Sequence, residues 1–130
     1  NADYVRTSKS FAEGLDCEIF SFEALKQAWE RAQLPSERQH VTQYLIKRPG
    51  EYKCCQLEND TDDSSYRLTV DEEQDFVVVR AILESLHDGN DDSYTTKDVK
   101  AFLNGHPELF KLNSHAIRNE GLLKSLEEDP

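Results

Sequence analysis

Asp71 follows YRLTV and precedes EEQDFVVVRAILESL, so it stands where a strand-like pattern gives way to a helical one. In open α/β sheets ligands collect beyond the carboxyl ends of strands, and a carboxylate there is placed to hold a divalent cation. The position also suits a helix N-cap, a role for which aspartate is among the favoured residues. Position alone favours the cap, and one carboxylate has oxygens enough for both roles. In GLDCEIF, Asp16 and Glu18 are two apart, the spacing that puts side chains on one strand face, and Gly14 permits close backbone approach just before them. Such a pair can grip sugar hydroxyls, or can be the exposed polar face of an edge strand. In PSERQHVT, Glu37, Arg38, His40 and Thr42 crowd one turn after a proline, from which side chains can reach a neighbouring ligand. A lone His40 is more often a surface or packed histidine than a catalytic base. Asp71 and Asp75, four apart on a helix, project from successive turns and make a poor hydrolytic metal pair. No GxSxG, P-loop, GxGxxG or HExxH occurs, so no complete active site is visible.

The elements that must position these residues follow from hydrophobic periodicity and its interruptions. Tyr4 to Arg6 reads as a strand, the polar TSKSFAEG ends at Gly14, and CEIF reads as a second strand. Ser21 caps a helix through Ala32, with Phe22, Leu25, Ala28, Trp29 and Ala32 on the face that packs on a sheet. Pro35 breaks it. Ser36 with Gln39 reads as a capping box for a shorter helix with Val41, Tyr44 and Leu45 apolar, ended by Pro49 and Gly50. EYKCCQLE is a strand, NDTDDSS a solvated turn, and YRLTV a strand that stops at Asp71. Asp71 with Gln74, and the acids Glu72, Glu73 and Asp75 opposing the dipole, open a helix whose stripe is Phe76, Val79, Leu83 and Leu86. HDGNDDSY reads as a linker, followed by helices from Thr96 to Asn104, from Pro107, and near Ser114 to Leu126, a tail with the look of an appendage.

A chain of 130 residues fits one domain with one core. Its 26 acidic and 15 basic residues give a net charge of -11, which repels DNA, RNA and anionic membranes. No apolar run approaches the roughly 18 residues that span a bilayer, so the chain is expected to be soluble. Cys17, Cys54 and Cys55 show no CxxC spacing, and adjacent strand residues face opposite ways, so buried free thiols in a reducing, cytoplasmic compartment are expected and zinc is not. The chain holds no methionine and opens on the strand-like ADYV, so a preceding segment is expected to have been removed.

GLDCEIFSFEALKQAWERA, LPSERQHVTQYL and RLTVDEEQDFVVVRAILESL, in that order, resemble the C-terminal half of the spore-coat polysaccharide biosynthesis family of the SpsF type. ADYV matches the family's strand before the sugar loop, and HPELFKLNSHAIRNEGLLKSLEED its helical tail. These proteins look like cytidylyltransferases, similar to the enzymes that activate Kdo and sialic acid as CMP-sugars. The resemblance implies an α/β fold: the C-terminal part of a Rossmann-like nucleotidyltransferase, three to four strands with packed helices over 1–88, plus a helical tail over 89–130.

It also implies a transferase reaction in which a sugar or sugar-acid oxygen attacks the α-phosphate of CTP with Mg²⁺ assistance and pyrophosphate leaves. Asp71 matches the family's metal aspartate, whose partner and whose triphosphate cradle lie in the N-terminal half. Gly14, Asp16 and Glu18 would sit near the sugar, with Glu37 and His40 on the same side of the cleft. KSFAEG departs from the family's usual loop, so contacts from that loop do not carry over. The implied partners are CTP and a sugar or sugar acid in the intact parent, which can be a homodimer, with no nucleic acid or membrane. This part alone is expected to be inactive. The alternative is a non-catalytic interaction or regulatory domain of a polysaccharide-biosynthesis protein.

Overall fold

The computed structural model describes residues 2–87, 89 and 93–130. The fold is mixed α/β, and the chain divides into two compact units that interleave in sequence. One comprises Asn1–Ser8, Asp16–Asp60 and Ile117–Pro130; the other comprises Lys9–Leu15 and Thr61–Ala116. Each has its own apolar cluster, where the chain length led us to expect one core.

The first unit is built on a three-stranded sheet with β1 (Tyr4–Thr7) in the middle. β2 (Glu18–Phe20) runs antiparallel to it with Tyr4 opposite Phe20, and β3 (Cys54–Leu57) runs parallel with Tyr4 opposite Cys54. Ser21 caps α1 (Phe22–Arg31) by accepting the Ala24 N–H at 3.1 Å, as its sequence requires. α1 packs through Ala24, Ala28 and Ala32, with Tyr4, Tyr44, Leu45 and Tyr52. Small residues let the helix approach closely, which turns Phe22 and Trp29 outward at 79% and 69% exposure, against the face expected for them. α2 (Pro35–Gln39) begins with proline at its first turn, and its N-cap is Leu34. Ser36 therefore lies inside the helix, and the expected capping box does not form. The apolar residues Tyr44 and Leu45 belong to a separate short helix, α3 (Gln43–Ile46).

β3 pairs on one side only, and its residues are exposed. Cys54 and Cys55 are accordingly exposed free thiols, and Cys17, in the loop before β2, is exposed as well, where burial was expected.

In the second unit YRLTV is not a strand, because Arg67 makes one isolated bridge with Glu13. α4 (Glu73–Leu86) buries Asp75, Val78 and Ile82, while Phe76 and Leu83 of the expected stripe stay exposed. The face is rotated by about one position because the Asp75 ion pair anchors the first turn. α5 (Thr96–Gly105) and α6 (Pro107–Leu112) pack with α4 around Val78, Ile82, Val99 and Leu103. The turn NDTDDSS is only partly solvated: Asp63 is buried and accepts Lys100 Nζ at 2.8 Å.

The compact units do not follow a boundary at 88/89. α5 and α6 belong with α4, whereas α7 (Glu120–Glu127) lies against α2, so neither behaves as an appendage. Of the expected linker, residues 88 and 90–92 lie outside the described residues. Among the described residues no helix is long and apolar enough to cross a membrane.

Candidate functional site

Asp16, Glu18, Glu37 and His40 fall in the first unit, Gly14 and Asp71 in the second. Glu18 opens β2, but Asp16 lies in the loop before the strand, so the two do not share a strand face. Each has its own partners. Glu18 Oε1 accepts the Tyr4 hydroxyl and Oε2 accepts the Thr42 hydroxyl at 2.9 Å. Burial, reinforced by the neighbouring Glu18 charge, pushes the Tyr4 phenol well above its ordinary value, so it stays protonated and donates. Glu18 is thereby fixed in orientation, with its remaining lone pairs free for a ligand's donors. Asp16 Oδ2 faces Arg118 Nη2 at 3.3 Å.

α2 carries the rest of the set. Glu37 is buried and receives Arg48 Nη1 at 2.7 Å. Burial pushes its carboxyl upward, but the Arg48 hydrogen bond and the Gln33 and Leu34 backbone outweigh it, and Glu37 titrates below its ordinary range. It acts as an internal anion that holds Arg48, which in turn lies over the Tyr44 ring at 3.6 Å. His40 Nε2 meets Ser125 Oγ at 3.0 Å. Next to it, Ser36 gives its N–H at 3.0 Å and its hydroxyl at 2.6 Å to Asp129, and Lys47 Nζ reaches the same carboxylate at 2.7 Å. Those donors hold Asp129 at about 2, below the ordinary aspartate value, Lys47 first among them. A cavity of about 190 Å³ bordered by Tyr4, Arg6, Cys54 and Cys55 lies in this unit, and none of the sequence-derived site residues lines it.

In the second unit Gly14 has φ +93°, and a Cβ there would stand 2.7 Å from the Leu68 carbonyl carbon. Its glycine is required by the crossing of two backbone segments. Asp71 does not cap α4. Glu72 is the N-cap, and the Asp75 carboxylate, not Gln74, reaches back to the Glu72 N–H at 3.0 Å. Asp75 is fully buried and accepts five donors: Arg67 Nε and Nη2 at 2.9 Å each, Asn113 Nδ2 at 2.8 Å, and the Glu72 and Asp71 N–H groups at 3.0 and 3.1 Å. The Arg67 hydrogen bonds, against the opposing effect of burial, hold its carboxyl far below the usual range. Arg67 also reaches Glu13 at 2.9 Å and Asp71 Oδ2 at 3.1 Å.

Asp71 is thus held at its backbone by Asp75 and at one oxygen by Arg67. Its side chain is 68% exposed, and Oδ1 carries no hydrogen bond among the described residues. That fits one monodentate ligand of a Mg²⁺ ion and no more. Among the described residues no group of three or more His, Cys, Asp or Glu is arranged to hold a metal.

The sequence reading missed Tyr4, Asn113, Arg118, Ser125 and Asp129. The partners described above lie 14 to 102 residues away, beyond any local pattern. The RLTVDEEQD spacing did hold one clue, a basic residue eight before an acid.

The three-stranded mixed sheet with its packed helices is a cytidylyltransferase-like fold. It matches the solved structure of a cytidylyltransferase from Leptospira borgpetersenii serovar Hardjo-bovis with a TM-score of 0.75 at 24% identity, over 85% of this chain and 46% of that one. An uncharacterized protein of Methanocaldococcus jannaschii is 32% identical over 117 residues, 88% of this chain and 46% of the relative. The chain therefore spans about half the length of each protein it matches. No family model matches it.

Proposed function

We propose that the chain is the C-terminal, sugar-side part of a CTP-dependent sugar nucleotidyltransferase that forms a CMP-sugar for surface polysaccharide, of the kind that serves the spore coat, in the cytoplasm. The observation that carries this reading is the fold likeness over 85% of the chain. The GLD, PSERQHVT and TVDEEQDF blocks support it. Asp16, Glu18 and His40 bind sugar hydroxyls, Gly14 shapes the loop before them, and Glu37 supports that side of the cleft through Arg48. Asp71 supplies one carboxylate to Mg²⁺, and the other metal ligand and the triphosphate cradle belong to the remainder of the parent. When bound, Mg²⁺ neutralises charge on the α-phosphate.

The test compares CMP-sugar formation by this chain and by its full-length parent, using CTP and a panel of sugars and sugar acids. Pyrophosphate release is expected from the parent alone. An active isolated chain, or a parent without a phosphate-binding basic loop and a second metal aspartate, overturns the reading. A second reading, a non-catalytic interaction domain, draws on the exposed Phe22 and Trp29 of α1. It predicts a parent silent with every sugar and unchanged by Asp71→Ala.

A further inference from the structure

The segment 117–130 docks in an unusual way. A surface helix ordinarily turns its apolar stripe inward. In α7 the one buried residue is Ser125, while Leu123 and Leu126 are 47% and 37% exposed, as is Ile117 at 60% just before the helix. An eight-residue helix has little stability alone, and beside the half-buried Leu122 specific polar contacts hold it in place. Two of those contacts fall on residues the sequence marks for ligand binding, Asp16 and His40. Arg118 reaches Asp16, Ser125 reaches Gln39 and His40, and Asp129 is gripped by Ser36 and Lys47. Between Arg118 and α7, Asn119 takes a left-handed conformation at φ 58°, ψ 33°, which asparagine tolerates better than most residues.

The contact at His40 also assigns its tautomer. Ser125 Oγ lies 2.7 Å from Gln39 Oε1 and 3.0 Å from the Gly121 carbonyl oxygen, and its single proton goes to one of these. The hydroxyl therefore accepts from His40, whose Nε2 must carry the hydrogen. In the neutral ring Nδ1 is then the acceptor nitrogen, and no described residue bonds to it.

We propose that residues 117–130 are the positioning segment for the ligand-facing residues of this unit: Arg118 orients the Asp16 carboxylate, and Ser125 holds His40 with Nδ1 presented to a ligand hydroxyl. The identity of that ligand as a sugar rests on the function proposed above. The positioning does not.

The first measurement uses the chain itself. A hydrogen-bonded Nε2–H proton of His40 is expected in imidazole NMR spectra, lost in Ser125→Ala and retained in Ser125→Thr. Asp16 is expected to hold one χ1 rotamer that averages in Arg118→Ala and is kept in Arg118→Lys. An intact amide fingerprint elsewhere separates these effects from unfolding, and the conservative variants give the answer if an alanine variant fails to fold. A protonated Nδ1, or an unchanged His40 signal in Ser125→Ala with Asp16 still in one rotamer in Arg118→Ala, overturns the proposal.

The second measurement uses the parent. Both alanine variants should raise the sugar KM about tenfold, the size of one lost hydrogen bond, with the CTP KM unchanged. A parent with no CMP-sugar activity would overturn the function proposed above, while the NMR outcomes still decide the positioning.

Discussion

At the residue scale, carboxylates in this chain are controlled by the donors that converge on them. Asp75 and Asp129 are the extremes: one is sealed among five donors, the other is held at the chain's end by Ser36 and Lys47. Both titrate below their unfolded values. Such groups stabilise the fold fully above the unfolded pKa and lose that contribution as pH falls through the folded one. For Asp129 the window runs from about 4 down to about 2. Urea titrations across that window should show steep acid destabilisation that is shallower in Asp129→Asn; identical slopes refute the assignment. At neutral pH, Asp75→Ala leaves Arg67 buried among fewer partners, and its expected cost is about 3–5 kcal/mol, read from the same denaturation curves. Gly14→Ala combines a positive φ with a backbone clash and should cost at least about 1–3 kcal/mol. A neutral result there would mean that the Leu68 segment can move aside.

At the element scale, periodicity predicted that α1 and α4 exist, and it misplaced their faces. In α1 the aromatic residues look like the natural core, yet the alanines are buried because only small side chains allow close contact with Tyr4 and Leu45. In α4 an ion pair overrode hydrophobicity, since burying Asp75 with Arg67 rotates the stripe onto Val78 and Ile82. Ile82→Ala should therefore destabilise by about 2–5 kcal/mol, whereas Phe76→Ser should stay within about 0.5 kcal/mol. Thermal melts of the two variants settle the register: a costly Phe76→Ser would restore the stripe that periodicity alone suggests. YRLTV shows the converse error. Its residues have strand propensity, but its one partner is an isolated bridge to Glu13, and propensity without a pairing edge makes no ladder.

At the scale of the whole molecule, the two compact units share the chain in alternating stretches, so no single cut separates them in sequence. Since Asp71 supplies one exposed carboxylate, Mg²⁺ followed by NMR at the Asp71 and Glu72 amides should show millimolar binding or none; tight binding would mean that the chain holds a complete metal site. By itself the sequence determined the acidic, mixed α/β character, the cap of α1, the helical course of α4 and α5, and the blocks that lead to a cytidylyltransferase-like fold. These are properties of composition, local dihedral preference and short-range spacing, which neighbouring residues decide among themselves. The tertiary structure alone decided which carboxylates are occupied. It pinned Asp71 at its backbone and at one oxygen, made Glu72 the cap, enclosed Glu37 with Arg48, and brought Arg118, Ser125 and Asp129 onto Asp16, His40 and Ser36. Each of those outcomes depends on which distant donor arrives within about 3 Å, and only the closure of the chain on itself determines that.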